Sequence, residues 1–425
     1  MTDDKQAPAG GSILVVGGGI SGLTTALEAA EVGYEVFLVE KNPYLGGRVA
    51  QLKQYFPKLC PPTCGLEINF RRIKDNPRIK VLTMADVEKV SGSPGSYKAE
   101  IKINPRYINE NCTLCGECAK ACKMEVSNDF NFGMDRIKGA YLPHEMAFPA
   151  RYVLSPQIIG TEDAQRAKDA CKYDAVDLDM TARTLNLDVG AVVWATGWQP
   201  YDANRIDNLG YGRYPNIITN MMMERLSAPN GPTKGQIQRP SDDKAPESVA
   251  FVQCAGSRDE NHLPYCSYIC CMASLKQATY VREQFPDAKI YIYYIDIRTP
   301  GQRYEKFYQD IKADENIFLI KGKVAEVEED PDTKNITVVA ENAVTGEKTR
   351  QTVDMVVLAT GMQPTAATTQ LPADLTFNAD GFIVNDFEKG GMFAAGCANK
   401  PADVMSSNQN ATGMALKAIQ TLVRR

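Results

Sequence analysis

Hydrophobic positions along the chain fall into short, nearly continuous runs separated by longer amphipathic stretches. SILVVGGGISGLTTALEAAEVGYEVFLVEK, from Ser12 to Lys41, gives an apolar strand, a glycine turn, an Ala-rich amphipathic helix and a second apolar strand ending at Glu40. Runs apolar on both faces suit a parallel sheet covered by helices, so the order predicts a βαβ unit. The same order returns at Val249–Gln253, a helix over about 271–285, and KIYIYYIDI, which predicts a second unit of the same kind. YKAEIKI (Tyr97–Ile103) alternates in the manner of a half-exposed strand, and TLNLDVGAVVWATG resumes strand and turn. Residues from about 104 to 180 therefore interrupt one β-meander. LSAPNGPTKGQIQRPSDDKAPES (Leu226–Ser248) is polar and rich in Pro and Gly, and reads as a loop before the second unit.

Chemistry enters at the turns. In the first unit Gly17 permits the tight turn, Gly19 lets backbone approach a pyrophosphate, and Gly22 lets the helix pack on the strand. The helix N-terminus, from Ile20 and Ser21 on, would face the phosphates with its dipole, and Glu40 stands where a carboxylate can accept both ribose hydroxyls. The second unit keeps only Gly256 of such a fingerprint and carries Asp259 and Glu260, which would repel a pyrophosphate, so no NAD(P) is expected there. Its loop instead holds Cys254, Cys266, Cys270 and Cys271, as Cx11CxxxCC. Adjacent cysteines chelate one zinc poorly; a larger iron–sulfur cubane can accept both, and buried apolar cysteines at a helix start are the structural alternative.

Within the interruption, Cys112, Cys115, Cys118 and Cys122 follow CxxCxxCxxxC, the bacterial ferredoxin spacing for a [4Fe–4S] cluster. In two-cluster ferredoxins the fourth cysteine of each run serves the other cluster. Counting back from Cys171 by the same spacing lands on Ala167, Ala164 and Thr161, the remains of a second run. The expected set is therefore Cys112, Cys115, Cys118 and Cys171, with Cys122 as the alternative to Cys171. Lys123 and Lys172 stand where a proline usually follows the fourth cysteine.

Length and charge bound the rest. A chain of 425 residues is long enough for two or three domains. The net charge of -5 and pI near 5.4 give no argument for binding nucleic acid or an anionic membrane. No apolar run approaches the ~20 residues of a membrane span, and MTDDKQAPAGGS lacks the features of a leader, so a cytoplasmic protein without direct membrane insertion is expected. Grouped cysteines in a reducing compartment point to metal or redox chemistry. His144 and His262 offer no catalytic dyad, Tyr291, Tyr293 and Tyr294 read as strand packing, and LVRR reads as a helix terminus. Catalytic residues stay unassigned, as do roles for Cys60, Cys64 and Cys397.

Several stretches resemble known families. EKNPYLGGR, with Lys41, Gly46, Gly47 and Arg48, is similar to the extension after the second strand in flavoproteins with two dinucleotide domains, and so favours FAD. VVWATG, with Ala195, Thr196 and Gly197, and VVLATG, ending at Gly361, resemble the ATG strands of that group. GGMFAAGCANKPADVMSSNQNATGMALKAI, with Gly396 and Cys397, resembles the segment closing over the ribitol and flavin, although Cys397 stands where thioredoxin reductase-like proteins carry an Asp. The implied fold class is α/β, a thioredoxin reductase-like flavoprotein with two dinucleotide domains and an inserted ferredoxin-like segment. The implied parts are an FAD-binding domain over 1–104, 180–225 and 351–425, the insert at 105–179, and a degenerate second domain at 226–350.

QCAGSRDENHLPYCSYICCMASLKQA, GGRVAQLKQYFPKLCPPTC and INPRYINENCTLCGECAKAC resemble the heterodisulfide reductase A-subunit family over nearly the whole chain. That resemblance implies that Cys254, Cys266, Cys270 and Cys271 ligate a second [4Fe–4S] cluster beside one FAD. Within the family, the absence of extra ferredoxin modules is most similar to the A subunits of quinone-interacting membrane-bound oxidoreductase (Qmo) complexes. The implied partners are a second, related flavin subunit, one membrane haem and quinone subunit, and adenylylsulfate reductase. The implied role is electron relay between menaquinone and sulfate reduction, with flavin-based confurcation as an extension and a place at the inner membrane held through partner subunits. A stand-alone NAD(P)H-dependent flavin disulfide oxidoreductase is the alternative.

Overall fold

The computed structural model describes residues 11–423. Residues 1–10, which hold most of the stretch read for a leader, and 424–425, the arginines of LVRR, lie outside the described residues. Two open sheets carry the architecture. The first has five parallel strands in the order Met392–Ala394, Ala191–Trp194, Ser12–Val16, Glu35–Glu40 and Ile79–Thr83. Strand order reverses at Ser12–Val16, so the crevice past the carboxyl ends of Val16 and Trp194 is the topological switch point where such sheets bind ligands. Leu23, Ala26 and Leu27 of the Ile20–Glu31 helix pack with Ala411 and Ala418 of the Val404–Val423 helix over Val36, Leu38 and Phe393.

The second sheet has seven strands, in the order Ile217–Thr219, Met355–Thr360, Ser248–Ala255, Lys289–Tyr294, Ile317–Glu329, Ile336–Asn342 and Lys348–Val353. The first five are parallel and the last two close antiparallel. This moves both expected boundaries of the second domain. Ile217–Thr219 and Met355–Thr360 pair with each other inside this sheet, so the unit begins near 217 instead of 226 and runs to about 360 instead of 350. Apolar strands declare burial but not the sheet they join, which is why the pattern misplaced them. Leu226 and Ser227, read as loop, end the Asn220–Ser227 helix.

On the other face of the first sheet, against Leu14, Phe37 and Val39, packs an antiparallel meander of Ala85–Ser93, Ser96–Ile103 and Arg183–Val189, with Ile103 opposite Arg183. The chain leaves this pair after 103 and returns at 183. Residues between form a small unit with its own core, in which Ile108, Ala140, Leu154, Ile158 and Val176 surround Cys118 and Cys122. No helix among the described residues is long and apolar enough to cross a membrane.

One helix ties the parts together. Arg225 is fully buried and donates to Asn131 Oδ1 of the insert (2.8 Å), Gln51 O of the first domain (3.3 Å) and Asn230 Oδ1 (2.8 Å), with its guanidinium over Phe130. Its neighbour Glu224 pairs at 2.8 Å with Lys276 on the Cys270–Gln284 helix and accepts from Lys53 N, Gln277 Nε2 and Tyr280 Oη. Both members of the pair are buried. Removing one partner leaves a buried charge uncompensated, so Lys276→Met is expected to cost about 3–5 kcal/mol in urea unfolding. The double variant Glu224→Gln/Lys276→Met should recover a large part of that loss.

Candidate functional site

The switch-point crevice opens into a cavity of about 1080 Å³. Its floor is the glycine turn. Gly17 has φ +110°, and a Cβ there would press on the Ala195 carbonyl; a Cβ on Gly22 would strike the Gly17 carbonyl. Gly19 faces open space, its nearest neighbour in that direction being Gly47 Cα at 3.9 Å. Behind it the Ile20–Glu31 helix starts with no side-chain cap, so its first N–H groups point at the cavity unpaired by any side chain. A loop that must be bare at Gly19 and a helix end left uncapped suit a phosphate-bearing ligand.

The expected residues Gly17, Gly19, Ile20, Ser21, Glu40, Lys41, Gly47, Arg48, Ala195, Thr196, Gly197 and Cys397 line this cavity. Gly22, Gly46, Gly361 and Gly396 are not on its wall but behind it. Gly46 N donates to Gly18 O at 2.8 Å, and Gly396 N to Asn410 Oδ1 at 2.7 Å. Gly361 serves the other domain, where a Cβ would meet Leu263 and Ser257 at 2.6 Å.

Glu40 is buried, and burial raises its carboxyl above the usual range against the pull of its donors. Oε2 accepts from Gly18 N (2.7 Å), and Oε1 from Asn42 N (2.8 Å) and Asn42 Nδ2 (2.7 Å). Of the roughly four acceptor positions of a carboxylate, one on Oε2 is left for a sugar hydroxyl, where two had been expected. Arg48 crosses the cavity wall, held by Trp198 O, Gln51 Oε1 and Gln199 Oε1. Thr196 Oγ1 is buried and without a protein partner on the same wall, a position that a bound ligand can satisfy.

Other lining groups were not legible in the sequence. Asp403 lies six residues past Cys397, buried on the wall, accepting from Tyr304 Oη of the second domain (2.5 Å) and Ser406 N (2.7 Å). It offers the carboxylate that position 397 lacks. Cys397 is itself buried, its Sγ 3.5 Å from Ala402 O, and burial pushes the thiol up to about 11. Asn220, Glu224, Lys276 and Gln277 form the second-domain wall, and Phe130 and Tyr141 bring in the insert. His144 stacks on Phe130, and burial lowers its imidazole to about 4. Cys60 is exposed at the cavity lining and Cys64 is exposed on the Thr63–Asp75 helix.

The other cysteines form two groups. Cys118 is buried and pushed up to about 12, first by burial and then by the like charges of Cys112, Cys115 and Cys171. Ala175 N donates to Cys171 Sγ at 3.3 Å. Cys122 stands apart, its thiol 3.8 Å from Asp163 O, with Arg166 and Lys138 as its charged neighbours. In the second domain Cys254, Cys266, Cys270 and Cys271 line one narrow cleft with Arg258, Asp296 and Arg298. Cys270 and Cys271 open the Cys270–Gln284 helix, and Tyr268 N donates to Cys266 Sγ at 3.4 Å. Among the described residues no three His, Cys, Asp or Glu side chains close on a single metal ion. Thiols grouped in one cleft, with a peptide N–H on Cys266, suit a cluster with edges of its own better than a single ion.

Known proteins share both the sequence and the architecture. Residues 15–81 match the NAD(P)-binding Rossmann-like domain family. The chain is 38% identical over 421 residues to the A-type iron-sulfur subunit, copy 2, of the CoB–CoM heterodisulfide reductase of Methanopyrus kandleri, covering 96% of this chain and 64% of the relative. It is 35% identical to the A-type subunit of the H(2):CoB-CoM heterodisulfide,ferredoxin reductase of Methanothermobacter marburgensis, over 97% of this chain and 64% of the relative. Over the matched residues the chain is similar to the A subunits of heterodisulfide reductases. It spans slightly less than two thirds of the length of these heterodisulfide reductase relatives. Thioredoxin reductases of Lactococcus lactis and T. acidophilum share the fold, each with TM-score 0.53 and 14% identity over 97% of this chain, covering 99% and 98% of theirs. The architecture of two dinucleotide-type domains is thereby common to this chain and the thioredoxin reductases.

Two glycine substitutions separate folding from ligand approach. Gly19→Ala is expected to fold and to lose flavin, because its methyl enters the space a phosphate would use. Gly22→Ala is expected to lower the thermal midpoint as well, since the Gly17 carbonyl blocks it. Flavin absorbance per chain and thermal unfolding of the two variants check this.

Proposed function

We propose that the chain is the FAD and iron–sulfur electron-transfer subunit of a heterodisulfide reductase A-like oxidoreductase. One FAD occupies the cavity; one [4Fe–4S] cluster is held by Cys112, Cys115, Cys118 and Cys171, and a second by Cys254, Cys266, Cys270 and Cys271. The observation that carries this reading is the replacement of a phosphate-binding loop by a thiol nest in the second βαβ unit, while the first keeps its glycine turn. The grouping of Cys171 with Cys118, and the separate surroundings of Cys122, support the crossing ligand set.

A flavin exchanges electrons in pairs or singly and a cubane only singly, so the bound groups supply conversion between the two kinds of traffic. The chain's own residues provide position and environment. The uncapped Ile20–Glu31 helix and bare Gly19 receive phosphates, and Glu40 Oε2 receives a sugar hydroxyl. Asp403 presents its carboxylate to the middle of the cavity wall, and Phe130 and Tyr141 of the insert exclude water from one side. Glu224 pairs with Lys276 Nζ in the opposite wall.

Within the heterodisulfide reductase A-like proteins, the reading extends to a subunit of a quinone-interacting complex, supported by the resemblance of the reduced ferredoxin insert. Its partners are a related flavin subunit together with a membrane haem subunit, adenylylsulfate reductase being the redox partner and menaquinone the other terminus. Membrane association then comes through partners, and two-electron input at the flavin allows confurcation.

Anaerobic iron and sulfide quantitation with EPR tests the cofactor reading. About eight irons per chain are expected. Cys171→Ala should lose about four and Cys122→Ala none; the reverse result removes the crossing assignment. Dithionite should bleach the flavin of the isolated chain, whereas rapid bleaching by NADH or NADPH would contradict the absence of a nicotinamide site.

A further inference from the structure

The roof of the thiol nest carries charge that ligand spacing does not require. Arg258 follows Cys254 by four residues on the loop, and Arg298 sits on the segment after Lys289–Tyr294; both line the cleft with the four cysteines. Arg258 Nη2 pairs with Asp296 Oδ2 at 2.8 Å, which clasps the two segments over the nest, and its charge acts on Cys254. The Cys271 thiol donates to Asp296 O at 3.4 Å, two residues before Arg298. Arg298 has no carboxylate partner among the described residues, so its charge is uncancelled. The backbone is bent to make this arrangement: Cys254, Arg258 and Tyr268 all take positive φ, at +57°, +55° and +68°. Three non-glycine residues in the left-handed region of one loop are costly and persist where the surroundings hold them.

We infer that Arg258 and Arg298 are tuning residues that hold the potential of the second-domain centre above the value its burial would set. Asp296 orients Arg258 over the nest and partly cancels its charge. This rests on the assignment of Cys254, Cys266, Cys270 and Cys271 as cluster ligands. Four thiolates give a cubane a net negative charge in both of its working states, and reduction adds one more. Burial of Cys270 and Cys271 therefore opposes reduction, and two guanidinium groups at the rim favour it. Around the insert thiols, Lys120 is exposed and paired with Glu117, an arrangement that contributes little, while the buried Arg106 acts on Cys112.

Redox titration of the full chain by EPR, with iron and sulfide counted for every variant, tests this. Cys171→Ala empties the insert set and so assigns the two signals. Arg298→Gln and Arg258→Gln are expected to move the nest signal to lower potential, Arg258→Lys to leave it nearly in place, and Asp296→Asn to raise it, all without moving the insert signal. A nest signal that stays in place in both glutamine variants, with iron retained, overturns the inference and leaves the arginines as structural clasps. If Arg258→Gln sheds iron by opening the clasp, Arg298→Gln decides, because the Arg298 side chain has no ion pair in that clasp to lose. A wild-type chain with about four irons and no second signal fails earlier, at the ligand assignment itself.

Discussion

Glu224 and Arg225, adjacent on one short helix, are the constraint on which the rest depends. Taking a carboxylate, a guanidinium and the Lys276 ammonium out of water costs several kcal/mol per ion before any pairing, so such groups are poor instruments of stability alone. What they secure is geometry. Arg225 binds insert, first domain and linker at once, while Glu224 joins the second domain to Lys53 of the loop that roofs the cavity. Lys276 Nζ donates to Gln54 O on the same loop, and Tyr304 reaches across to Asp403. Each of these contacts crosses between parts that a hinge would separate. A cavity whose walls come from three units keeps its shape only while those contacts hold.

The two βαβ units show one local design with two chemistries. In both, a parallel strand ends, the chain turns through a positive φ and a helix begins, so that unpaired N–H groups converge on one point. At Gly17 the turn is made by a residue with no side chain, which leaves room for an anionic ligand brought from outside. At Cys254 the same handedness is imposed on a cysteine, and the space is taken by thiols belonging to the chain. A helix N-terminus favours negative charge of either origin, whether a pyrophosphate or a set of thiolates. Binding a metal centre there requires thiols that burial holds protonated, Cys254 up to about 11 and Cys270 well above the ordinary value, to give up their protons.

Local features were legible in the sequence because their causes are local. Strand, glycine turn, helix and terminal Glu40 are fixed within thirty residues, and cysteine spacing reports which thiols share a loop. The expected pairing of Cys171 with a run some fifty residues earlier rests on register alone, and the structure places its charge beside Cys118. Where the cause is tertiary, the sequence is silent. Nothing near Glu224, Lys276, Asp403 or Arg298 marks them, since each is brought to its site by an element from another part of the chain. The repeated ATG strands misled for the same reason: Ala195–Gly197 meet the cavity, whereas Gly361 ends a strand of the other sheet and packs under the cysteine loop.

The insert satisfies its buried polar groups from within its own residues. Ala164 and Ala167, at positions where a second cysteine run would place ligands, are buried with Cys122 in one apolar cluster, and Thr161 caps the Glu162–Asp169 helix through Asp163 N. The peptide N–H groups of Lys123 and Met124, just past Cys122, both donate to the buried Asp163 carboxylate, which is paired with Arg166. Those donors would be left unsatisfied if small apolar side chains alone filled the space, at a cost of about 1–3 kcal/mol each. An acid inside the core answers them, and an arginine on the same helix, one turn on, answers the acid. Cys122 is a small buried side chain in that core, and the polar groups around it are satisfied from within the chain.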